Sequence, residues 1–208
     1  MMIKAKGPVW HKKHKKLNII PKGLKGIDKQ ATWSSSGYNG WVYGHGSFSI
    51  VTHKNPILGC FMWMRNSANE AKRMYLEAEY YEGLLKYLVM DSKADSQKLF
   101  KDLRKNYSIR LVTSCRRNMN KTPFRRYMIR AMNTKRCRKY FKERSQTVEP
   151  MQGLVKEIFD LERCWMRNDD SNRWLFAAMG LAVQMHQLQA YKEHRSTWKI
   201  KSAVLGEP

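Results

Sequence analysis

The chain has 208 residues, which is enough for one ordinary domain with a hydrophobic core. Apolar residues make up 42% of it and include seven tryptophans, a content that argues against a disordered chain. Its 40 Lys and Arg residues face 17 Asp and Glu residues, which gives a formal net charge of +23. An excess of this size indicates a polyanionic partner, nucleic acid before an anionic membrane surface, with a merely soluble basic face as the plain alternative.

Segments typical of membrane and secreted proteins are not found in the sequence. No run of about 18 apolar residues is present, so no helix is expected to cross a bilayer. The first residues form no apolar signal core. The cysteines have no Cys-x-x-Cys spacing, which disfavours a zinc site and favours buried reduced thiols in a cytoplasmic protein; they are Cys60, Cys115, Cys137 and Cys164.

The first predicted feature is a basic segment, residues 1–39, which glycine and proline interrupt and which we expect to be a loop. Residues 41–51 alternate in polarity and are rich in β-forming side chains, and residues 57–64 form a second apolar run. Because turn-forming residues 54–56 lie between them, the two runs predict a hairpin.

A crossover unit is predicted next. Residues 67–85 carry apolar side chains at helical spacing, with Ser67 or Asn69 as the N-cap. Residues 87–90 have the profile of a buried strand, and a short helix over 96–105 and a β-rich stretch over 107–115 follow. Strand, helix and strand in this order favour two parallel strands.

The last part of the chain is predicted to be helical. A basic helix is expected over 122–143, followed by two strong amphipathic helices. The second of these opens near Asp170 and has an apolar seam with a period of about 3.5 residues, formed by Trp174, Ala178, Leu181, Met185 and Leu188. The chain after about His194 is expected to be loose.

Two acidic residues occupy positions typical of catalytic carboxylates. Asp91 follows the predicted buried strand, at the edge where α/β folds place ligands, and capping of the next turn is the alternative. Glu149 opens a helix, with Arg144 upstream and Lys156 two turns along nearly the same face. A metal-binding carboxylate beside phosphate-binding cations has this pattern, and so does an ordinary charged helix.

The stretch 116–144 is strongly basic and contains a single acid, Glu143. Arginine predominates in it and can contact phosphates in a bidentate manner. Tyr127, Tyr140 and Phe141 are interleaved and can stack on bases or pack into the core. The residues predicted here to bind DNA phosphates are Arg116, Arg117, Arg125, Arg126 and Arg130.

Other chemistries find no support. His11, His14 and His45 have no neighbouring acid or cysteine in the sequence that would complete a metal site. The sequence contains neither the phosphate-binding motif of nucleotide hydrolases nor the Gly-x-Ser-x-Gly motif of serine esterases.

Several motifs together resemble one protein family. Residues 4–13, residues 40–44 and residues 89–96 look like parts of the catalytic domain of bacterial insertion-sequence DDE transposases. Phe141, Arg144, Glu149 and Lys156 are similar to the Tyr-Arg-Glu-Lys signature around that family's catalytic glutamate. The resemblance runs from residue 4 to about residue 190, nearly the whole chain.

The resemblance implies an α/β fold of the ribonuclease H-like class, a mixed sheet flanked by helices, in which two Asp and one Glu hold two divalent cations, Mg²⁺ or Mn²⁺. Two such ions about 4 Å apart can activate the attacking oxygen and stabilise the leaving oxygen at phosphorus. Asp91 would be the second acid and Glu149 the third, while Arg144 and Lys156 would hold DNA near the cut.

The same resemblance implies partners and a location. Transposon-end DNA would be the partner, bound by a homodimer that pairs two ends, and no membrane would be involved. The expected location is the bacterial cytoplasm, in association with the nucleoid.

One departure from the family pattern concerns the first acid. In the family it ends a strand a few residues before the Lys-Ala-Lys-Gly stretch, whereas this sequence begins at Met1, and Asp28 is a poor substitute. The first strand and its acid are therefore expected to be largely missing. Two carboxylates should bind the metal pair poorly, so little or no activity is expected of this chain.

The sequence thus predicts DNA transposition by metal-dependent strand cleavage and joining, in a truncated and inactive catalytic domain. A non-enzymatic basic nucleic-acid-binding protein is the alternative. The predicted catalytic domain covers residues 40–193, preceded by its basic loop-rich segment, 1–39, and followed by a loose tail, 194–208.

Overall fold

The structure is a computed structural model that describes residues 1–36, 40–53, 55–116 and 122–206. Its elements in chain order are β1 (Met2–Lys4), α1 (Lys12–Lys16), β2 (Thr32–Ser36), β3 (Gly40–Val51), β4 (Leu58–Arg65), α2 (Glu70–Glu77), β5 (Tyr87–Val89), α3 (Gln97–Tyr107), β6 (Arg110–Val112), α4 (Pro123–Met132), α5 (Lys135–Glu143), α6 (Val148–Ile158), α7 (Asp169–Lys192) and α8 (Lys201–Leu205). Short 3₁₀ turns lie at Ala78–Tyr81, Ser92–Ala94 and Arg144–Gln146. The predicted α/β class is confirmed.

The chain forms two compact units. The first contains Met1–Ala68 and Thr147–Pro208, and the second contains Asn69–Gln146. The predicted domain bounds, with a catalytic domain over 40–193, stay a prediction.

The first unit is built on a four-stranded antiparallel sheet around the long strand β3. β2 pairs with the first half of β3, and β4 pairs with the second half to form the predicted hairpin, whose Lys54 lies outside the described residues. β1 pairs with the middle of β3, around His45. The two strands approach closely at Gly44, because a Cβ there would lie 1.9 Å from the Ile3 carbonyl oxygen.

The loop predicted over residues 1–39 is wrong in three places, since β1, α1 and β2 form there. Trp10 is buried, and its Nε1 donates to the Ile19 carbonyl oxygen at 2.9 Å. The two strands are short and take their hydrogen bonds from β3, which is distant in sequence. Glycine and proline in this segment favour a loop. The strands form because β3 supplies their hydrogen-bond partners, and local sequence does not reveal that pairing.

Helix α7 packs on β4 in the first unit. The rings of Phe61 and Phe176 lie 5.6 Å apart, and Gly180 lets the helix approach, because a Cβ there would lie 3.0 Å from Phe61 Cβ. The Gln187 side chain accepts from Leu58 N at 2.8 Å, and Gln184 donates to the Leu58 carbonyl oxygen at 3.0 Å. These amides satisfy backbone groups that β3 does not pair.

The apolar seam predicted for α7 does not form the core. Trp174 is 80% exposed, and Leu181, Met185 and Leu188 are also exposed. The buried face of α7 is a different one, formed by Phe176, Met179, Gly180, Val183, Gln187 and Ala190. Both faces are apolar, so periodicity alone could not tell which of them meets β4. No helix in the described part of the chain combines the length and apolar character needed to cross a membrane.

The chain after His194 differs from the loose tail expected. Ile200 is buried in the same core cluster as Phe176, and Thr197 is also buried. The Gln187 side chain donates to the Thr197 carbonyl oxygen at 3.1 Å, and α8 follows. Buried contacts therefore hold this segment on the core, although its sequence has no helical or strand periodicity.

The second unit contains the predicted crossover. Strands β5 and β6 pair in parallel, as expected, and α3 connects them with Leu99, Phe100 and Leu103 buried. Asn69 caps α2 through hydrogen bonds from Ala71 N and Lys72 N, as one of the two predicted caps. The single basic helix predicted over 122–143 is instead two helices, α4 and α5, because Thr134 ends the run by capping α5.

Candidate functional site

Asp91 lies directly beyond β5, at the carboxyl end of the parallel strand pair in the second unit. Met90 N donates to the Val112 carbonyl oxygen at 2.9 Å, and the Thr113 hydroxyl donates to the Asp91 carbonyl oxygen. These bonds fix the Asp91 backbone to the end of β6. Its carboxylate oxygen Oδ1 accepts from Lys93 N at 2.8 Å.

Asp91 is therefore a cap of the 3₁₀ turn Ser92–Ala94, which is the alternative that the sequence left open. A cap does not exclude a ligand role, because a carboxylate has two oxygens and about four lone-pair sites. The assignment of Asp91 as a catalytic, metal-binding residue remains a prediction.

A cationic cavity of about 730 Å³ opens beside the end of β6. Its rim carries three cations, Arg116, Arg138 and Lys142. Its remaining wall is largely apolar, with Phe141 beside Val112, Ile129 and Met132, and no acid is found among the described residues that line it. Arg116 Nε donates to the Ser92 carbonyl oxygen at 3.0 Å, so this rim also lies next to Asp91. Phosphate oxygens together with a flat apolar group fit such a cavity.

The sequence predicts that Arg125 binds DNA, but in the structure its side chain forms a buried ion pair. Its side chain is fully buried and forms a bidentate ion pair with Asp95, which is also buried. Burial by itself would raise the pKa of Asp95, but hydrogen bonds from Arg125 and from Arg116 N hold that pKa below its ordinary value. A guanidinium without exposed surface has no access to a phosphate, so the prediction that Arg125 binds DNA is wrong.

For the exposed arginines of α4 the DNA-binding role stays a prediction. Arg126 and Arg130 are exposed and lie four residues apart, which places them on one face of the helix. Tyr127 between them is 46% exposed, and its hydroxyl accepts from Arg104 at 2.6 Å. Arg117 lies outside the described residues.

Arg144, the last cation of the basic stretch, lies in a 3₁₀ turn at the end of the second unit. Its guanidinium carbon is 5.7 Å from the centre of the Phe141 ring. Phe141 is half-buried and lines the cationic cavity. This position is compatible with both alternatives for the ring, packing into the core and stacking on a base.

Glu149 and Lys156 belong to the first unit, on α6. Glu149 is exposed in the first turn, at the positive end of the helix dipole. The opposite face of α6 packs into the core through Met151, Val155 and Ile158. Lys156 Nζ lies 2.5 Å from the carboxylate of Glu162, and both residues line a cavity of about 390 Å³.

The predicted acids can be compared with the ligands that a divalent metal ion prefers. Carboxylate oxygens are the ligands that Mg²⁺ and Mn²⁺ prefer, and Asp91 and Glu149 supply them. Among the described residues, no group of three or more His, Cys, Asp or Glu side chains is arranged to hold an ion. Each predicted acid is of the ligand type that such ions prefer, and their joint role as metal ligands stays a prediction.

A buried polar cluster in the first unit was missed by the sequence reasoning. Asp28 Oδ2 lies 2.9 Å from His45 Nε2, and the Trp63 indole N–H donates to His45 Nδ1 at 3.0 Å. Since Nδ1 accepts a hydrogen bond, the ring proton is on Nε2 and is donated to Asp28. No local motif connects these residues, which come from a loop, β3 and β4.

No disulfide joins the four cysteines, all of which lie in the described residues. Cys137 and Cys164 are buried, while Cys60 and Cys115 are half-buried. Burial, together with the negative charge of Asp28, raises the pKa of Cys164 to about 12, so this thiol is inert.

A carboxylate at the end of parallel strands, beside a cavity rimmed by cations, is typical of α/β proteins that act on phosphate groups. A family model described as the transposase DDE domain matches residues 18–168, more than half of the chain. The chain belongs to this transposase DDE family, and the resemblance seen in the sequence is confirmed. Its mixed α/β structure is consistent with the ribonuclease H-like fold of such domains. No curated protein and no solved structure matches the chain.

Family membership has consequences at a coarse level. Proteins of this family act on DNA in transposition, and divalent metal ions are typical of their chemistry. The match spans Asp91, Glu149 and the whole basic stretch, so the predicted site lies inside the matched region.

Proposed function

We propose that this domain performs metal-dependent phosphoryl transfer on DNA ends, cleaving and joining strands, with Asp91 and Glu149 as its catalytic carboxylates. The family match over residues 18–168 is the observation that supports this most strongly. The position of Asp91 at the end of the parallel strands, next to the cationic rim, agrees with it. The proposed partner is transposon-end DNA, bound by a homodimer.

The roles of the residues follow from their chemistry. Divalent ions, when bound, supply the Lewis acid that activates an attacking oxygen and stabilises a leaving one. Asp91 and Glu149 offer the oxygen ligands for them. Arg116, Arg126 and Arg130 bind and neutralise DNA phosphates, and Arg144 and Lys156 orient the strand near the reacting phosphorus. Lys156 must first exchange its partner Glu162 for a phosphate, which is feasible because both side chains are partly exposed.

The acids are expected to be necessary but insufficient in a polypeptide of these 208 residues. Only two of the family's three carboxylates are assigned to its sequence, so Mg²⁺-dependent nicking of transposon-end DNA should stay near background. Titration with Mn²⁺, followed by electron paramagnetic resonance, should detect weak binding that Asp91→Asn and Glu149→Gln each weaken further.

Matched controls are available on the same units. Asp102→Asn, on α3, and Glu157→Gln, on α6, should leave Mn²⁺ binding unchanged. Binding that is equally insensitive to Asp91→Asn and Glu149→Gln would count against the carboxylate assignment and favour the non-enzymatic nucleic-acid-binding alternative. Robust Mg²⁺-dependent nicking that disappears in Asp91→Ala would contradict the expected inactivity while supporting the chemistry.

DNA binding should depend steeply on salt because the contacts are ionic. Each phosphate contact contributes about 0.9 to the slope of log affinity against log salt concentration. Arg126→Gln and Arg130→Gln should therefore each weaken binding of a short duplex and lower that slope by about one. The measurement is fluorescence anisotropy between about 50 and 200 mM salt.

Lys72→Gln is the control for this measurement, since Lys72 is exposed on α2 of the same unit and outside the predicted contact residues. Equal losses in Lys72→Gln and Arg130→Gln would show that binding follows net charge alone and not the face of α4.

A further inference from the structure

The exposed seam of α7 is unlike the rest of this charged chain. From Trp174 to Tyr191 there is no Asp, Glu, Lys or Arg, although such residues make up 27% of the sequence. The seam side chains are large and open to solvent, with Trp174 at 80% and Leu181 at 58% exposure. The opposite face of the helix already meets β4, so the seam is a second apolar face.

We propose that the seam of α7 binds the same seam of a second copy of this chain, in an antiparallel helix pair centred on Leu181. This inference does not depend on the catalytic proposal, because it concerns the free protein without DNA or metal.

The spacing of the seam is nearly symmetric about Leu181. Trp174 and Leu188 lie seven residues before and after Leu181. In an antiparallel pair with Leu181 facing Leu181, each Trp174 therefore packs on Leu188 of the second copy. Ala178 lies three residues before Leu181 and Met185 four residues after it, so these two come within one residue of facing each other, a small side chain beside a long one, which is how helix surfaces interdigitate. A surface that complements itself in this way is what a two-fold dimer requires.

The charges at the helix ends select the orientation. Asp170 and Lys192 lie eleven residues before and after Leu181, so the antiparallel pair brings each Asp170 to Lys192 of the second copy. A parallel pair would instead bring like charges together at both ends. The Asp170 side chain is 81% exposed although it also pairs with Arg173 at 3.1 Å, so it has surface left for a second cation.

The uncharged seam between the two charged ends of α7 also favours dimer formation. Two copies that each carry a net charge of +23 repel one another, and an uncharged contact stripe avoids adding desolvated cations to that cost. Between Trp174 and Leu188 the seam is about 21 Å long, which is enough for a standard helix-to-helix contact.

Sedimentation velocity of the free protein tests the proposal, over about 1 to 100 µM chain and at about 0.3 M salt to screen the net charge. The wild type should sediment as a dimer of its 24.6 kDa chain. Leu181→Glu should raise the dimer dissociation constant on the order of 100-fold, because two carboxylates would meet at the axis. Unchanged circular dichroism and thermal midpoint would show that this exposed position tolerates the substitution.

Charge exchange at Leu181 tests where the helix pair is centred. Leu181→Lys should also be monomeric, and a mixture of Leu181→Glu with Leu181→Lys should form heterodimers, since a pair centred there places the two changes opposite each other. Leu84→Glu, at an equally open leucine of the second unit, is the control and should dimerise like the wild type. A monomeric wild type, an equal loss in Leu84→Glu, or a mixture that stays monomeric would each overturn the proposal.

Discussion

Arg125→Ala is expected to lower the free energy of unfolding by about 3 to 5 kcal/mol, because it leaves the buried carboxylate of Asp95 without its partner. Both side chains are inaccessible to solvent, and the guanidinium meets the carboxylate through two hydrogen bonds. Urea unfolding followed by circular dichroism measures the change. Arg126→Ala, at the next position of α4 but exposed, should change stability by less than about 0.5 kcal/mol.

Two further variants separate the ion pair from simple loss of packing. Arg125→Lys keeps the charge but not the bidentate geometry, so its loss should be intermediate. The double variant Asp95→Ala with Arg125→Ala should lose clearly less than the sum of the single losses, because it removes the unpaired charge. Additive losses would mean that the two residues stabilise the unit independently and would contradict the explanation.

This pair also supports the candidate site. The Asp95 carboxylate accepts from Arg116 N at 2.6 Å, so the pair fixes the backbone of the segment that carries one cation of the cavity rim. Under the proposed function, Arg125 would affect DNA binding by positioning Arg116. We expect Arg125→Lys to weaken DNA binding without changing the slope of affinity against salt, unlike Arg126→Gln.

Asp28→Ala is expected to have a comparable effect in the first unit, about 3 to 5 kcal/mol, because it leaves several buried donors unpaired. The Asp28 carboxylate accepts from Gln30 N at 3.1 Å, Ala31 N at 3.3 Å and Asn168 N at 3.2 Å, in addition to His45. It thus connects a loop, β3 and the start of α7. Asp28→Asn keeps one acceptor oxygen and should cost less than Asp28→Ala.

The exposed carboxylate of Glu157 provides the comparison, since it pairs with Lys201 at the surface of the same unit. Glu157→Ala should change stability by less than about 1 kcal/mol. A loss in Asp28→Ala no larger than that of Glu157→Ala would contradict the importance of the buried cluster.

The lowered pKa of Asp28 leads to a prediction of how folding stability changes at acidic pH. Burial by itself would raise the pKa of Asp28, but hydrogen bonds from His45 and from the backbone N–H groups of Gln30 and Asn168 outweigh it and hold the pKa below its ordinary value of 3.8. The folded state therefore binds fewer protons than the unfolded state in this range. The stabilisation is present above pH 3.8 and is lost as pH falls through the lowered pKa, and Asp95 behaves alike.

The acid response is measured as the thermal midpoint against pH. The wild type should lose stability steeply below about pH 4, and Asp28→Asn should be less stable at neutral pH but lose less on acidification. Parallel curves for the two proteins would mean that Asp28 does not contribute to the pH dependence.

Local sequence determined several of the regular elements and the family. The β3–β4 hairpin follows from alternation around a turn, and the parallel β5–β6 pair follows from strand, helix and strand in sequence. Asn69 and Thr134 cap helices because their side-chain oxygens satisfy free N–H groups of the first turn. These features depend on neighbours within a few residues, and so does the motif around Glu149 that identified the transposase family.

Only the tertiary structure decided which charged and apolar side chains are exposed. Arg125 and Arg126 are adjacent and chemically identical in sequence, yet one is buried with Asp95 and the other is open to solvent. The seam of α7 has the pattern of a core face, but Phe176 and its neighbours occupy that place and leave Trp174 exposed. Burial depends on partners distant in the chain, such as Asp95 for Arg125 and Phe61 for Phe176, and local periodicity carries no information about them.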